Sequence, residues 1–396
     1  MLAGACAPDT FTTPPYVFGA EVLSIVTSLV TNYTMESDAA LRFVHPSTTA
    51  ENLTFCNVTV TYTHTGTNDR VNVETWLPVS DWNERLYAAG GGGFAAGRFF
   101  IPYTTMAGAL TEGYATVTTD AGLGVDAHTL DASSWALLSP GNIDLNLAYT
   151  FGSASLNEEV RGKTSMQIRS ELFVDMKQAI IAKHLLKSFY GKGPVYSYWN
   201  GCSQGGRQGL MLAQRYPHAF DGIAAGAPAL NLPQADDIIP PKGTEAYYQD
   251  VSNLLPDVHD FYRHFEIPGL AHCSGGLGGQ PTAMFEQLRA WVENGTAPKS
   301  SPVTFVNTIG EEWNRILTST FKYYELIQFI FYTISSNYLK AASFRKHSLA
   351  GNAALFSFRS DHHNCILYDF KSVVVRPLVT LLGRAPWMKL KKHRVP

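Results

Sequence analysis

The stretch YWNGCSQGGRQG, residues 198–209, contains a serine with a glycine two positions away on each side. A strand-like pattern precedes Ser203 and a helix-like pattern follows it. This Gly201-x-Ser203-x-Gly205 arrangement predicts a sharp strand-to-helix turn that exposes the serine hydroxyl above a sheet. We therefore predict that Ser203 is a catalytic nucleophile. An ordinary glycine-rich turn is the structural alternative.

A serine hydroxyl is a weak nucleophile and needs a base, for which His272 in IPGLAHCSGG is the strongest candidate. It follows a Pro-Gly pair and lies downstream of the serine, which fits the chain order Ser, acid, His. Cys202 directly precedes Ser203, and Cys273 directly follows His272. A Cys202–Cys273 disulfide would bring the two Cα atoms within about 7 Å and hold nucleophile and base in register. Two buried free thiols are the alternative.

The acid that orients the imidazole is predicted on a loop ahead of the histidine. Asp236 in QADDIIPPKGTEAYY is the first candidate, and the pattern alone does not separate it from its neighbour Asp237. Asp257 and Asp260, in a helix-like stretch, are weaker candidates.

Backbone N–H groups should hold the negative charge that develops on a substrate oxygen. We predict one donor at Gln204, directly after the nucleophile, and the other near Gly92 in the glycine run 90–93. Glycines allow the backbone to approach a substrate without a Cβ clash. The run lacks the lysine of a P-loop, so phosphate binding is not predicted.

The elements that position these residues alternate between strands and helices. Strands are predicted within 55–64, 70–79, 85–97, 113–122, 193–201 and 220–229. Helices are predicted over 170–191 and 205–217. This order predicts an α/β fold with a mostly parallel sheet that begins with antiparallel strands.

The composition of the 396 residues, with 45% hydrophobic residues and a net charge of −3, favours a large globular enzyme. It predicts neither a nucleic-acid partner nor a membrane-spanning segment. The charge is uneven, with −13 over residues 1–314 and +10 over residues 315–396. We interpret 1–314 as the catalytic domain and 315–396 as a divergent, poorly ordered basic segment. A tail that binds nucleic acid or anionic lipid is the alternative.

Secretion is predicted from modification signals and cysteines. N-glycosylation sequons begin at Asn32, Asn52, Asn57 and Asn294. The five cysteines allow two disulfides with one cysteine left over. The N-terminal sequence MLAGACAP is similar to a mature secreted N-terminus with a start methionine, so we expect a signal peptide that is not visible in this sequence.

With these motifs in view, the chain resembles the fungal and bacterial tannase/feruloyl esterase family. The resemblance covers roughly residues 1–230 and 235–314. The matching stretches are AAGGGGFAAG, TDAG, NGCSQGGRQGL, FDGIAAGAPALN, ADDIIPPKGTEAYY and PGLAHCSGG. The paired Cys-Ser and His-Cys dipeptides are its most specific feature. The resemblance implies an α/β-hydrolase fold, secretion and hydrolysis of phenolic-acid esters.

For the site, the resemblance implies Ser203 as nucleophile, Asp236 as acid and His272 as base. It selects Asp236 over Asp237 because the family pattern is Ala-Asp-x-x-Ile-Pro. It also implies the Cys202–Cys273 bridge. A second bridge, Cys6–Cys56, is suggested by the resemblance alone.

Family members also carry a large lid domain, which shapes phenolic specificity and holds a calcium ion. Here only a few residues separate Asn231 from Asp236, so we expect the lid to be missing near 231–235. Its calcium site and the strand that carries the acid are expected to be absent with it. No cofactor is predicted to be needed for catalysis.

The resulting hypothesis is a serine esterase that acts through an acyl-enzyme on feruloyl or galloyl esters. The substrates would be small phenolic esters or esters of plant polysaccharide. A truncated, inactive remnant of such an esterase is the alternative, and a peptidase on the same fold is a second one. The oligomeric state is not predicted. The cluster SDHHNC, residues 360–365, is not predicted to bind metal, because adjacent histidines rarely share one ion.

Overall fold

The structure is a computed structural model. It describes residues 2–66, 69–124, 131–144, 177–229, 241–306, 312–318, 326–333, 343–349 and 353–359. Three predictions lie outside these residues: the acid at Asp236 with its neighbour Asp237, the missing lid near 231–235, and the cluster at 360–365.

The described elements are strands and helices in the following order. The strands are β1 (Ala20–Ser37), β2 (Thr48–His64), β3 (Val71–Pro78), β4 (Arg85–Ala89), β5 (Ala115–Thr119), β6 (Leu137–Ser139), β7 (Asn142–Ile143), β8 (Tyr196–Cys202), β9 (Gly222–Gly226), β10 (Tyr262–Pro268), β11 (Ser300–Val306), β12 (Glu312–Thr318), β13 (Leu326–Thr333), β14 (Ser343–Leu349) and β15 (Ala353–Arg359). The α-helices are α1 (Ala39–Arg42), α2 (Phe100–Thr111), α3 (Ser133–Ala136), α4 (Lys177–Tyr190), α5 (Gln204–Arg215), α6 (Pro241–Leu254) and α7 (Met284–Asn294). Short 3₁₀ helices cover Leu2–Ala5, Pro8–Phe11 and Val258–Asp260. In the part of the chain described, no helix has the length and apolar character that crossing a bilayer requires.

Within the described residues, the main sheet has nine strands in the order β1-β2-β3-β5-β4-β8-β9-β13-β10. Its centre, β5-β4-β8-β9, is parallel. Strands β1, β2 and β3 pair antiparallel with one another, and β3 pairs antiparallel with β5. The predicted α/β architecture, with antiparallel strands at its N-terminal side, is therefore confirmed.

The core lies on both faces of the sheet. Along β4, the alternation of side chains places Leu86 and Ala88 in one buried cluster and Tyr87 and Ala89 in the other. Helices α4, α5 and α6 contribute to the first cluster, and α2 and α7 contribute to the second. Because both faces are covered, almost every residue of the parallel strands is buried, including the threonines of β5.

Strand β13 comes from the basic segment after residue 314, yet it lies inside the main sheet. It pairs antiparallel with β9 on one side and with β10 on the other. Ile330, for example, is opposite Ala225 of β9 and His264 of β10. Strand β10 leads into the loop that carries His272, and β9 lies beside β8, the strand that ends at the nucleophile turn. This part of the basic segment therefore links the two halves of the sheet that carry the predicted catalytic residues. The division of the chain into two domains stays a prediction.

Proline at position 330 tests this link. A residue in a central strand donates its N–H to one of the two neighbouring strands, and proline has no N–H to donate. We expect Ile330→Pro to lower the free energy of unfolding by about 1–3 kcal/mol, measured by urea denaturation. Phe356→Pro is the matched control, because β15 pairs with β14 in a separate two-stranded sheet. Equal stability of the two variants would contradict a structural role for β13.

Candidate active site

Ser203 occupies the sharp turn between β8 and α5. Its backbone has φ 60° and ψ −117°, a conformation that non-glycine residues rarely adopt. The Ser203 N–H donates to the Gly226 carbonyl at 3.0 Å, and the Ser203 carbonyl accepts from the N–H groups of Arg207 at 2.9 Å and Ala229 at 3.1 Å. These bonds fix both the N–H and the carbonyl group of the strained residue. The side chain is partly exposed, as a nucleophile must be.

The glycines beside the serine are required by close packing of the backbone. A Cβ atom on Gly201 would lie 2.6 Å from the carbonyl carbon of Gly205. A Cβ atom on Gly205 would lie 2.9 Å from the carbonyl oxygen of Gly91. Glycine at these two positions thus lets the strand and helix sides of the turn pack against each other and against the glycine run 90–93.

A disulfide joins the nucleophile turn to the histidine loop. The Cys202–Cys273 bond is present, with Cα atoms 5.9 Å apart and both cysteines buried. Ser203 and His272 are the chain neighbours of these cysteines, and both are partly exposed. The predicted covalent link between the two segments is thus part of the fold.

The loop after β10 is fixed by its own hydrogen bonds. The Ala271 N–H donates to the Gly275 carbonyl at 3.0 Å, and the Gln280 side-chain amide donates to the Cys273 carbonyl at 3.1 Å. His272 lies between these two anchored positions. Its backbone is therefore held by hydrogen bonds as well as by the disulfide.

The glycine run packs directly against the nucleophile turn. The Gly90 N–H donates to the Asn200 carbonyl at 2.9 Å. The Gly91 carbonyl accepts from the Gly205 N–H at 3.0 Å. The loop predicted to supply an oxyanion donor thus lies against β8 and the first turn of α5.

The two predicted oxyanion donors differ in their surroundings. The Gly92 N–H donates to the Ala95 carbonyl at 3.1 Å, and the Gly92 carbonyl accepts from the Ala95 N–H at 3.0 Å. The Gly92 donor is therefore engaged within its own small hairpin in this structure. Gln204 is the first residue of α5, so its N–H lies at the positive end of the helix. The Arg207 guanidinium donates to the Gln204 side-chain carbonyl at 2.8 Å, and burial lowers the pKa of Arg207 to about 10.

An ionic cluster that was not predicted from the sequence lies directly after residues 90–97, the segment that contains the glycine run and that we call the glycine loop. The Arg98 guanidinium donates to Glu74 at 3.0 Å and to Asp120 at 3.2 Å. The Tyr103 hydroxyl also donates to Glu74, at 2.9 Å. Burial lowers the pKa of Arg98, but the two carboxylates more than offset that effect and raise it overall. Asp120 belongs to the matching stretch TDAG, which is the one sequence signal that pointed toward this cluster.

The two weaker acid candidates lie at the wrong end of β10. Asp257 and Asp260 are exposed residues of the turn before that strand, whereas His272 follows the strand's other end. Seven residues of extended strand separate the two ends by roughly 20 Å. The structure therefore argues against both residues as the acid that orients His272.

The second predicted disulfide, Cys6–Cys56, is also present, with Cα atoms 5.4 Å apart. It ties the N-terminal 3₁₀ helices to β2. Both disulfides leave Cys365, outside the described residues, as the unpaired fifth cysteine of the predicted scheme.

The sequon asparagines differ in accessibility, which leads to a prediction about glycosylation. Asn32, Asn52 and Asn294 are exposed. The Asn57 amide nitrogen instead donates to the buried carboxylate of Glu74 at 2.9 Å. A glycan would replace one of the two hydrogens on that nitrogen and place a bulky sugar beside the buried carboxylate, so we expect glycans at the three exposed positions and none at Asn57. Peptide mapping by mass spectrometry after deglycosylation in H₂¹⁸O measures this directly, and ¹⁸O at position 57 would contradict it.

Comparison with known proteins identifies a family. The sequence model described as "Tannase and feruloyl esterase" matches residues 56–235 and 232–323. The two matched stretches overlap at residues 232–235, where the lid is predicted to be missing. Together they cover well over half of the chain.

Curated relatives and a solved structure agree with this match. The chain is 40% identical over 222 residues to a "Probable feruloyl esterase" of Arthroderma benhamiae, covering 56% of this chain and 36% of the relative. It is 35% identical over 184 residues to a "Tannase" of Aspergillus oryzae, covering 46% of this chain and 27% of the relative. The chain thus spans about a third of the length of these relatives. The structure of an esterase from Aspergillus oryzae superposes with a TM-score of 0.53 at 14% identity, over 80% of this chain and 95% of that one, which shows a shared fold.

Proposed function

The chain belongs to the tannase and feruloyl esterase family, and from that premise we propose that it hydrolyses carboxylic esters with Ser203 as nucleophile, His272 as base and Asp236 as acid. The observation that carries the proposal is the strained turn at Ser203, joined by the Cys202–Cys273 disulfide to the loop of His272. A nucleophile and a base on separate elements need such a link to keep a fixed distance.

In the proposed reaction, His272 takes the proton of the Ser203 hydroxyl as its oxygen attacks the ester carbonyl carbon. The tetrahedral intermediate collapses to the acyl-enzyme, and His272 gives the proton to the departing alcohol. Water then attacks the acyl-enzyme, again with His272 as base, and releases the carboxylic acid and free Ser203. Asp236 keeps the imidazole oriented and stabilises its charged form.

Backbone N–H groups hold the oxyanion in both tetrahedral intermediates. The Gln204 N–H is one donor, supported by the helix dipole of α5 and by the positive charge of Arg207 nearby. The glycine loop supplies the other donor, and Gly92 can do so when substrate binding opens its bond to Ala95. Catalytic hydrogen bonds commonly form only in the substrate complex.

The proposed substrates are phenolic-acid esters, either small molecules or esters of plant polysaccharide, in a secreted protein. The names of the relatives and the two disulfides, which form in oxidising compartments, support this assignment. Detection in the culture medium rather than in the cell would test secretion.

Among the described residues, no three His, Cys, Asp or Glu side chains come together as a metal site. The described residues therefore do not form a site for the calcium ion expected in the family's lid. No step of the proposed reaction uses a metal ion.

The test is turnover of methyl ferulate and methyl gallate beside a peptide anilide. We expect ester hydrolysis without amide hydrolysis. Asp236→Asn should abolish most of it, whereas the matched variant Asp237→Asn should not, since only one of the two carboxylates can orient His272. A folded protein without turnover of any ester would identify the inactive remnant, and preferred turnover of the anilide would identify a peptidase.

A further inference from the structure

We propose that Gln208 is a positioning residue that fixes the glycine loop to the nucleophile helix, an inference that rests on the proposed function. Its side chain is only 1% exposed and lies on α5, one turn after Gln204. The Gln208 Oε1 atom accepts from the Gly91 N–H at 2.8 Å. Its Nε2 group donates to the Ala96 carbonyl at 3.2 Å.

These two bonds reach both ends of the same small hairpin. Gly92 and Ala95 close the hairpin by their mutual hydrogen bonds, and Gly91 and Ala96 are the residues immediately outside it. One amide side chain therefore bridges the base of the hairpin. It does so from the helix whose first residue supplies the other proposed oxyanion donor.

Water cannot easily replace this amide. Gly91 and Ala96 are buried, so loss of the Gln208 side chain leaves a buried N–H and a buried carbonyl without their acceptor and donor. The Gly91 carbonyl still accepts from the Gly205 N–H, so one attachment of the loop remains. We expect the hairpin to stay folded while its position relative to Ser203 becomes less defined. A shift of about 1 Å in a positioning group can lower a rate by about 10²-fold.

A glutamine with only a structural role could show the same burial and hydrogen bonds, so the control residue must be buried as well. Gln214 provides it, because it lies on the same helix and is 6% exposed. Its Nε2 group has no hydrogen-bond partner among the described residues, and no bond links it to the glycine loop there. Gln208→Met and Gln214→Met therefore make the same chemical change at two buried positions of α5.

The experiment measures kcat and KM for methyl ferulate, thermal stability, and amide hydrogen exchange over residues 90–97 in both variants. We expect Gln208→Met to lower kcat about 10- to 100-fold with KM within about twofold, and to speed exchange in this segment. Gln214→Met should leave kcat and the exchange of the loop near wild-type values. Equal kcat values in the two variants would overturn the proposal, even if Gln208→Met were the less stable protein.

Two further outcomes are distinguishable. If Gln208→Met does not fold, Gln208→Glu keeps the acceptor for Gly91 and removes the donor to Ala96, so kcat should still fall while the variant remains folded; an unchanged kcat would overturn the proposal. A folded wild-type protein without turnover would mean that the proposed function has failed. In that case unchanged exchange of the loop in Gln208→Met would also overturn the holding role of Gln208.

Discussion

Replacing Ser203 with alanine is expected to lower the rate of ester hydrolysis by roughly 10⁴- to 10⁶-fold. The variant keeps the turn but has no hydroxyl oxygen to form the acyl-enzyme. Both serine and alanine carry a Cβ at the positive φ of 60°, so the strain of the turn is unchanged and the melting temperature should shift little. Initial rates with methyl ferulate, measured beside circular dichroism of the same samples, give both quantities.

Ser274 offers a matched control for this substitution. It follows Cys273 as Ser203 follows Cys202, and it too is partly exposed. Ser274→Ala should retain most of the activity, because its hydroxyl has no role in the proposed reaction. Near-normal turnover by Ser203→Ala would place the nucleophile elsewhere in the chain.

Removing the disulfide at the site should cost both stability and rate. The Cys202→Ala, Cys273→Ala double variant opens a cross-link between residues 71 positions apart, which corresponds to about 4 kcal/mol of unfolding free energy from chain entropy. It also releases the covalent link between the turn of Ser203 and the loop of His272. We therefore expect kcat to fall at least tenfold at a temperature where the variant is still folded.

The other disulfide separates the two effects. Cys6–Cys56 joins residues 50 positions apart, so its loss should cost a similar amount of stability. It lies away from the site, and the Cys6→Ala, Cys56→Ala variant should keep its kcat per folded molecule. A similar fall of kcat in both double variants would mean that the Cys202–Cys273 bond acts through stability alone.

Local pattern predicted the elements around the nucleophile because their signals lie within a few residues. The strand before Ser203, the glycine spacing and the helix after it are encoded between residues 193 and 217, and β8 and α5 occupy that stretch. The cysteines beside Ser203 and His272 extended the prediction across the chain. A disulfide is the rare case in which a long-range contact has a residue-type signature.

Helix α2 was not predicted because it has no polar face. Residues such as Met106, Ala107 and Leu110 are buried on several sides of the helix, so the 3.6-residue alternation that marks a surface helix is missing. Pro102 and Gly108 also weaken the helix signal. The long strand β1 is a different case, since its apolar residues Leu23, Val26 and Leu29 are exposed and do not alternate as a half-buried strand would.

The pairing partners of strand β13 could not be predicted from local pattern either. Its place between β9 and β10 depends on which sheet edges are left to pair, and that is a property of the assembled fold. The same holds within the site for the bonds of Gln208. They are tertiary hydrogen bonds between a side-chain amide and backbone groups, and the residue types alone carry no information about the partners.

The most direct test of the central claim is covalent labelling of the oxidised protein with a fluorophosphonate probe, followed by mapping of the adduct by mass spectrometry. The probe reacts with a serine only when a base activates its hydroxyl. We predict an adduct on Ser203 in the wild-type protein and its loss in His272→Ala. Absence of labelling in a folded, oxidised sample, or labelling of Ser203 that persists in His272→Ala, would contradict the assignment of these two residues as nucleophile and base.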